Sequence, residues 1–308
     1  MDKRTRNKII LSSTLIALLL GTKIKIDKDF SSLEKKIIAN SKTTVEDQVN
    51  LVAHRGYSDM YPDNTLEGIR ACSELRCIEG IECDVRITKD DKLVLMHNEY
   101  IGFRPICDFT YEELGNMNLI DHLGARTMIF KGYNYMEHGI LAKRYEDIKK
   151  KEYTLCTLED VIRVRDKSKL LLIDVKFSGY HDGYLITRLG ELLKEEDNFV
   201  IQSFNANKLK IMHNLYPEYK YQLLIDSKST LSTVDYQFDG YGIKYNVLEE
   251  GTIEDLTSHD KMVSLWTVDS YKDFNQLIEQ YSEYEDIYYI TDNPDILSYQ
   301  LLRKNKTN

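Results

Sequence analysis

The residues best suited to chemistry are concentrated between Leu51 and His97. Two histidines, His54 and His97, each close an apolar run with the composition of a strand, and Arg55 follows the first of them. A histidine titrates near neutral pH, so one imidazole can act as general base and a second as general acid. An arginine beside them offers a planar pair of N–H groups to a phosphate. With two carboxylates, Glu82 and Asp84, in the same stretch, this composition suits a metal-assisted reaction on a phosphate ester.

Two acidic residues lie in the next apolar stretch, Gly80–Ile87. Glu82 and Asp84 are two positions apart, so on a strand their side chains share one face, while Cys83 points to the other. Two carboxylates held side by side away from water repel each other unless a cation lies between them. Hard divalent ions such as Mg2+ and Ca2+ bind carboxylate oxygens. The pair therefore predicts metal ligation; a solvated edge strand is the alternative, and the apolar residues that flank the pair count against it.

A third carboxylate repeats this arrangement further along the chain. Asp174 ends the apolar run Leu170–Ile173, and Lys176 lies two residues later on the same strand face. A carboxylate with an adjacent ammonium suits a site that holds a metal ion and a phosphate oxygen together. A local salt bridge at a strand end explains the same pair without any function, and the two residues alone do not decide between these readings.

The positions of the histidines separate two of them from the rest. His54 and His97 both lie at the predicted carboxyl ends of strands, where barrel enzymes place their catalytic groups. The remaining histidines have no such neighbours and are predicted to be loop or helix-surface residues; they are His122, His138, His181, His213 and His259.

The elements that must position these residues alternate between short apolar runs and longer helical patterns. About eight strand-then-helix units follow one another over roughly 250 residues, the usual length of an α/β barrel. The predicted strands are Leu51–Ala53, Gly80–Ile87, Leu170–Lys176, Phe199–Ser203, Lys220–Ile225, Gly240–Lys244, Met262–Val268 and Ile287–Thr291. The pattern predicts an α/β fold, a (β/α)8 TIM barrel over residues 51–303. A doubly wound sheet is the alternative, but no glycine-rich fingerprint follows the first strand.

The first helix of the barrel carries a capping pattern at its start. Asn64 precedes an apolar helical pattern, and Glu67 lies three residues later. This spacing is typical of a capping box, so we expect Asn64 to be the N-cap of the helix.

Residues 1–26 have the form of a short membrane-targeting helix. Basic residues crowd the first eight positions, and the uncharged run Ile9–Leu20 follows them, as in a secretory signal. The run is short for a spanning helix, which needs about 20 residues. No small-x-small cleavage site follows Leu20, which favours a signal anchor over a cleaved signal peptide; a buried first helix of the domain is a further alternative. Residues 27–50 are predicted to be a tether, with the catalytic domain outside the cell membrane, or secreted if the segment is cleaved.

Composition restricts the possible partners of the chain. The 308 residues carry 41 Lys and Arg against 50 Asp and Glu, a formal net charge of -9. This balance argues against broad nucleic-acid binding, although a local phosphate or metal pocket is compatible with it.

The five cysteines are odd in number and no two have CxxC spacing, so we predict free buried thiols rather than disulfides or a structural zinc site.

The motifs, taken in order, resemble those of the glycerophosphodiester phosphodiesterase family. The resemblance runs from about Leu51 to Asp295, apart from the middle of the chain. The segments that carry it are HRG at 54–56, PDNT at 62–65, ECD at 82–84, ITKDDKLVLMHN at 87–98, IDVK at 173–176, IQSFN at 201–205, LWTVD at 265–269 and ITDNP at 290–294.

This resemblance implies a TIM barrel that uses a divalent metal ion, Mg2+ or Ca2+, to hydrolyse a glycerophosphodiester to an alcohol and glycerol 3-phosphate. The implied acid/base pair is His54 and His97. The implied metal ligands are Glu82, Asp84 and Asp174. Arg55 and Lys176 would bind the substrate phosphate, and Trp266 would line the pocket.

Several positions depart from the family pattern. Asp63 stands where glutamate is usual, Asn98 replaces an aspartate, and Asp174 replaces a glutamate, as in the related sphingomyelinases D of the spider-venom type. Residues 104–154 fall where the family inserts its substrate-facing segment, and they match none of its motifs. Alternative functions are therefore a sphingomyelinase D-like or lysophospholipase D-like action on membrane lipid head groups, hydrolysis of a cell-wall polymer of glycerophosphate units, and a catalytically inactive surface binding barrel.

Overall fold

The strands form a closed barrel in the computed structural model, which describes residues 31–41, 49–117 and 152–305. Within these ranges the strands are β1 Asn50–Ala53, β2 Gly80–Ile87, β3 Leu93–Leu95, β4 Tyr100–Ile101, β5 Arg104–Pro105, β6 Leu170–Val175, β7 Phe199–Ser203, β8 Tyr221–Ile225, β9 Gly240–Lys244, β10 Met262–Trp266 and β11 Ile287–Thr291. All except β3, β4 and β5 run parallel in one sheet, and β1 pairs with both β2 and β11, which closes it. This confirms the predicted (β/α)8 barrel.

A helix follows each barrel strand within the described chain. The helices are α1 at 31–41, α2 Leu66–Ser73, α3 Tyr111–Gly115, α4 Leu158–Val164, α5 Asp182–Leu193, α6 Ala206–Leu215, α7 Lys228–Leu231, α8 Thr252–Ser258, α9 Tyr271–Tyr281 and α10 Pro294–Asn305. Two short 3-10 turns, Ile106–Asp108 and Tyr245–Val247, lie after β5 and β9.

The alternation of side chains along each strand divides the core into two layers. On β2, Cys83 and Val85 point outward and pack in the main hydrophobic core with residues of the surrounding helices. A smaller cluster, built around Val52, Leu172 and Ile290, forms a separate apolar core among the barrel strands. Glu82 and Asp84 therefore point to the other side of β2 from the main core, as their spacing predicts.

All five cysteines are buried and none forms a disulfide, which confirms the prediction of buried thiols rather than a disulfide framework.

The start of α2 differs from the prediction. Thr65, not Asn64, is the N-cap, and its side chain accepts a hydrogen bond from the backbone N–H of Gly68. Asn64 has a φ of 61°, in the left-handed region that asparagine tolerates. Its side chain is therefore directed away from the helix, and the functional site accounts for its hydrogen bonds.

The described part of the N-terminal region is a helix that packs against α10. Residues 31–41, within the predicted tether, are helical, and Ile37 is buried against Ile296 of α10. The predicted membrane segment 1–26 lies outside the described residues. Among the helices described, none combines the length and the apolar character needed to cross a bilayer.

Gly190 in α5 offers a test of core packing. A Cβ there would lie 2.0 Å from Cζ of Tyr216. That ring has little room to move, because it stacks on Tyr219, whose hydroxyl donates a 2.9 Å hydrogen bond to the carbonyl of Gly190. We expect Gly190→Ala to lower the free energy of unfolding by about 1–3 kcal/mol in urea denaturation, as overpacked cores do.

Gly183, in the same helix, provides the matched control. A Cβ at this position meets no atom within 4 Å. Gly183→Ala should leave stability unchanged or raise it by up to about 1 kcal/mol, because alanine favours helix. Equal stability of the two variants would contradict the packing described for α5.

Candidate active site

One cavity at the carboxyl ends of the barrel strands brings together all of the predicted site residues. It has a volume of about 100 Å³, and its walls include His54, Arg55, Glu82, Asp84, His97, Asp174, Lys176 and Trp266. A larger open groove of about 530 Å³ adjoins it and shares Asp174, Lys176 and Phe204 with its wall. Residues that are far apart in the sequence meet here because the barrel closes.

The turn after β1 presents Arg55 to the carboxylates. Arg55 has a φ of 54° and Gly56 a φ of 84°, so two successive residues adopt left-handed backbone. A Cβ on Gly56 would lie 3.3 Å from the backbone of Gly68 and Ile69, so glycine fits both the conformation and the close approach of α2. In this turn the backbone N–H of Arg55 donates a 2.8 Å hydrogen bond to Oε2 of Glu82.

The three predicted metal ligands form one buried cluster. Asp84 and Asp174 are direct neighbours in the register of β2 and β6, and Glu82 lies two residues before Asp84. One carboxylate oxygen from each lies within 4.8 Å of the others. Burial, followed by the charges of Asp84 and Asp174, raises the pKa of Glu82 well above its usual range. Burial also raises the pKa of Asp174, to about 6. Such shifts express the repulsion that a bound cation would relieve.

Two basic side chains already compensate part of this negative charge. Nζ of Lys176 lies 2.5 Å from Oδ2 of Asp174 and 3.0 Å from Oδ1 of Asp84. Nε of Arg55 lies 3.0 Å from Oδ2 of Asp84. Burial alone would raise the pKa of Asp84, but these two cations hold it below its usual range. The cluster thus combines three carboxylates with two cations, and Oδ1 of Asp174 is buried with no hydrogen-bond partner in the described chain. The donor set fits a hard divalent ion.

Two residues of the PDNT segment form hydrogen bonds that hold Arg55 and Asp84 in place. Asp63 accepts a 2.8 Å hydrogen bond from NH1 of Arg55. Asn64 donates from Nδ2 to Oδ2 of Asp84 at 2.8 Å, and its Oδ1 accepts from the backbone N–H of Asp84 at 3.1 Å. Asn64, which was predicted to be a helix cap, therefore fixes the position of Asp84, a candidate metal ligand.

His54 has an acidic partner that the sequence analysis did not single out. Its Nδ1 lies 2.7 Å from Oδ1 of Asp292, and its Nε2 lies 3.8 Å from Oε2 of Glu82. The backbone N–H of Asp292 donates to Oδ1 of Asp269 at 2.8 Å, which fixes the carboxylate after β11. A carboxylate on Nδ1 orients the ring and stabilises its protonated form. One feature of the sequence could have identified this partner: Asp292 directly follows the last strand. In a closed barrel the last strand is the neighbour of β1, and His54 directly follows β1.

His97 is held through its backbone. Its carbonyl accepts hydrogen bonds from Nε and NH2 of Arg86, at 3.2 and 2.8 Å, and Arg86 is buried on β2. Nδ1 of His97 lies 3.4 Å from Oδ1 of Asn98. Burial lowers the pKa of His97, which favours the neutral imidazole at neutral pH. Arg86 is thus a positioning residue that sequence reasoning missed.

Two aromatic residues, Trp266 and Phe204, also line the cavity. Nε1 of Trp266 donates a 2.9 Å hydrogen bond to the carbonyl of Gly242. The Trp266 ring meets Phe204 edge to face, with centroids 5.6 Å apart, and Nζ of Lys176 lies 5.5 Å from the Phe204 ring centroid. The predicted pocket residue therefore borders the lysine end of the site.

The Asp292 contact predicts a specific loss of activity. If the site performs the phosphodiester hydrolysis that its motifs imply, we expect Asp292→Asn to lower kcat/KM by roughly ten- to a hundredfold, the equivalent of one charge-assisted hydrogen bond. The pH profile should also change, because the amide no longer stabilises a protonated His54. Steady-state rates between about pH 5 and 8, the range in which histidine titrates, would measure both effects. Asp286→Asn, a change before β11 and outside the cavity wall, is the control, and an equal loss there would contradict a role through His54.

A family model for the glycerophosphoryl diester phosphodiesterases matches residues 54–296 of this chain. Among curated relatives, the chain is 24% identical over 251 residues to a glycerophosphodiester phosphodiesterase of Bacillus subtilis, covering 76% of this chain and 81% of that one. It is 27% identical over 269 residues to a protein of the same name from Caldanaerobacter subterraneus, covering 82% and 98%.

Solved structures show the same barrel. A phosphodiesterase of Oleispira antarctica in complex with the product sn-glycerol-3-phosphate superposes with a TM-score of 0.62 at 19% identity, over 82% of this chain and 96% of that one. A glycerophosphoryl diester phosphodiesterase candidate from Silicibacter pomeroyi gives 0.65 at 15% identity, over 86% and 96%. At these identities the likeness concerns the fold.

Proposed function

Because the chain belongs to the glycerophosphoryl diester phosphodiesterase family, and is thus a phosphoric diester hydrolase, we propose that it hydrolyses a glycerophosphodiester to an alcohol and glycerol 3-phosphate. We further propose that a divalent metal ion and the pair His54 and His97 carry the reaction.

One observation supports this proposal above the others. His54 and His97 line the same small cavity as the buried carboxylates and the two basic residues. Acid/base groups, a cation site and phosphate-binding groups are the parts that hydrolysis of a phosphodiester requires. A binding barrel without catalysis would not require two histidines, one of them oriented by a partly buried carboxylate, at this place.

In the proposed reaction the residues of this chain have the following roles. Arg55 and Lys176 hold non-bridging oxygens of the phosphate and offset the charge that grows in the transition state. One of His54 and His97 removes the proton from the nucleophile, which is water or a neighbouring glycerol hydroxyl, and the other protonates the departing alkoxide. Asp292 orients His54, and Arg86 holds the backbone of His97.

Glu82, Asp84 and Asp174 would hold the metal ion, Mg2+ or Ca2+, which when bound supplies Lewis-acid polarisation of a phosphate oxygen. Asp174 is shorter by one methylene than the glutamate usual in the family, which gives this ligand less reach from its strand.

The test is a release assay with the purified chain. Several glycerophosphodiesters with different alcohols are incubated with and without a chelator, and glycerol 3-phosphate and the alcohol are both quantified. We expect glycerol 3-phosphate from at least one substrate, loss of the reaction with chelator, and recovery with Mg2+ or Ca2+. No turnover of any diester with either metal would favour the inactive binding barrel.

A second candidate is action on membrane lipid head groups, and exposed aromatic residues favour it. Phe103 is 104% exposed, Tyr180 89% and Phe204 45%. Tyr180 and Phe204 follow the barrel strands β6 and β7, at whose carboxyl ends the cavity lies, and Phe103 lies in the turn between β4 and β5. Aromatic side chains at such a rim suit an interfacial position at a bilayer. Turnover of lysolipid in vesicles, without turnover of soluble glycerophosphodiesters, would select this function.

We propose that residues 1–26 anchor the enzyme in the cell membrane with the barrel outside, or direct its secretion if the segment is cleaved. The basic flank before an apolar run supports this orientation. The test is to express the full chain, fractionate the cells, and determine the N-terminal residue of the recovered protein. An intact protein in the soluble cell fraction would refute the proposal.

A further inference from the structure

A second group of potential metal ligands lies apart from the carboxylate cluster. Cys107 belongs to the 3-10 turn Ile106–Asp108, and His181 is the residue before α5. A thiol sulfur, a carboxylate oxygen of Asp108 and an imidazole nitrogen of His181 all lie within 4.8 Å of one another. None of the three lines the cavity that holds His54 and His97.

His181 has a buried ring nitrogen that suggests a ligand at this position. Nδ1 of His181 is buried from solvent and has no hydrogen-bond partner in the described chain. Its side chain also makes no capping hydrogen bond at the start of α5. Leaving a buried polar atom without a partner costs about 1–3 kcal/mol, so an unfilled position at this nitrogen is unusual. The ring is packed against Tyr180, with centroids 4.8 Å apart, which restricts its orientation.

The types of ligand determine the class of ion. A thiolate, an imidazole and a carboxylate together suit zinc, which takes sulfur, nitrogen and oxygen ligands in a tetrahedron. Mg2+ and Ca2+ prefer sites made of oxygen alone, such as the carboxylate cluster. Cys107 is only 7% exposed, so the thiol is shielded from bulk solvent while the exposed Asp108 leaves one side open.

We propose that Cys107, Asp108 and His181 form a second metal site, selective for Zn2+ or a similar borderline ion, with water as the fourth ligand. Burial, with a further contribution from Asp108, raises the pKa of the Cys107 thiol, so the ion binds by displacing its proton. Bound there, the ion joins the turn after β5 to the segment between Lys176 and α5. It thereby fixes the start of the divergent region 104–154 against the strand end that carries Lys176.

Cobalt substitution tests the site by a signal that the carboxylate cluster does not produce. The full chain is titrated with Co2+ in excess Mg2+, and the near-ultraviolet absorption is recorded, because a thiolate ligand gives a charge-transfer band that oxygen ligands do not. Zn2+ binding under the same conditions is measured by equilibrium dialysis. We expect one thiolate-bound Co2+ per chain and its displacement by Zn2+.

Variants assign the signal to the proposed ligands. Cys107→Ser should abolish the band, and His181→Gln should weaken Zn2+ binding by at least roughly tenfold, as loss of a metal-site partner does. His259→Gln, at an exposed histidine beside Asp255, is the matched control and should bind as the parent does. Asp84→Asn should also retain the band, which separates this site from the catalytic proposal.

Absence of the band in the parent protein, or its persistence in Cys107→Ser, would overturn the proposal. Circular dichroism and thermal melting identify any variant that fails to fold. If Cys107→Ser fails to fold, the His181→Gln variant still tests the proposal. An unchanged Zn2+ affinity in folded His181→Gln would overturn the second metal site.

Discussion

His54→Ala is expected to lower kcat/KM for glycerophosphodiester hydrolysis by roughly a hundred- to ten-thousandfold, the usual contribution of a general acid or base. The imidazole lies in the site cavity, with Nδ1 held by Asp292 at 2.7 Å and Nε2 directed at Glu82. Alanine removes the proton-transfer group and leaves the carboxylate cluster and Lys176 in place. Release of glycerol 3-phosphate by the purified variant, under saturating metal ion, measures the loss.

The control is His213→Ala, because His213 lies on the exposed side of α6 and does not line the cavity. Its activity should equal that of the parent. Near-normal hydrolysis by His54→Ala would refute the assignment of this histidine.

The same assay with His97→Ala divides the roles between the two histidines. An aryl alcohol leaves without protonation, so the histidine that protonates the alkoxide becomes dispensable when the diester carries an aryl group. We expect one of the two variants to recover on the aryl diester and the other to remain slow. Equal recovery of both variants would contradict a division into one acid and one base.

The sequence was sufficient to predict the barrel because local patterns determined its parts. Each of the eight predicted barrel strands shares an end residue with the observed strand, and in β2, β7, β9 and β11 both ends agree. Apolar runs bounded by polar turns carry this information within a few residues. The positions of Glu82, Asp84 and Asp174 also followed, because side-chain alternation on a strand is a local rule and closure of the barrel brings strand ends together.

The sequence was insufficient where a partner comes from a distant segment with no local constraint. Asn64 has the local pattern of a helix cap, yet its amide binds Asp84, a choice decided by tertiary contacts. Asp292 meets His54 only because β11 and β1 are neighbours, and Arg86 reaches the carbonyl of His97 across the β2–β3 hairpin. His181, predicted to be a loop or helix-surface residue, does lie directly before α5.

Asp84 is the carboxylate that both basic side chains of the site and the Asn64 amide contact. Lys176, Arg55 and Asn64 all contact it, at 3.0, 3.0 and 2.8 Å, and it is 1% exposed. Asp174 is its neighbour on β6, so a change at Asp84 alters both the metal ligands and the phosphate-binding cations.

Asp84→Asn should therefore reduce both metal binding and catalysis while it keeps the shape of the side chain. We expect Mg2+ or Ca2+ affinity to fall by at least roughly tenfold in calorimetry, and kcat to fall by roughly a thousandfold, the loss that follows removal of one charge-stabilising group at a transition state. Asp235→Asn is the control, because this carboxylate is an exposed partner of Lys210 at 3.7 Å. Since the amide leaves Lys176 and Arg55 with less negative charge nearby, excess metal ion should not restore the rate in full. Full recovery at high metal concentration would show that Asp84 acts only through affinity for the ion, and an unchanged affinity would remove it from the ligand set.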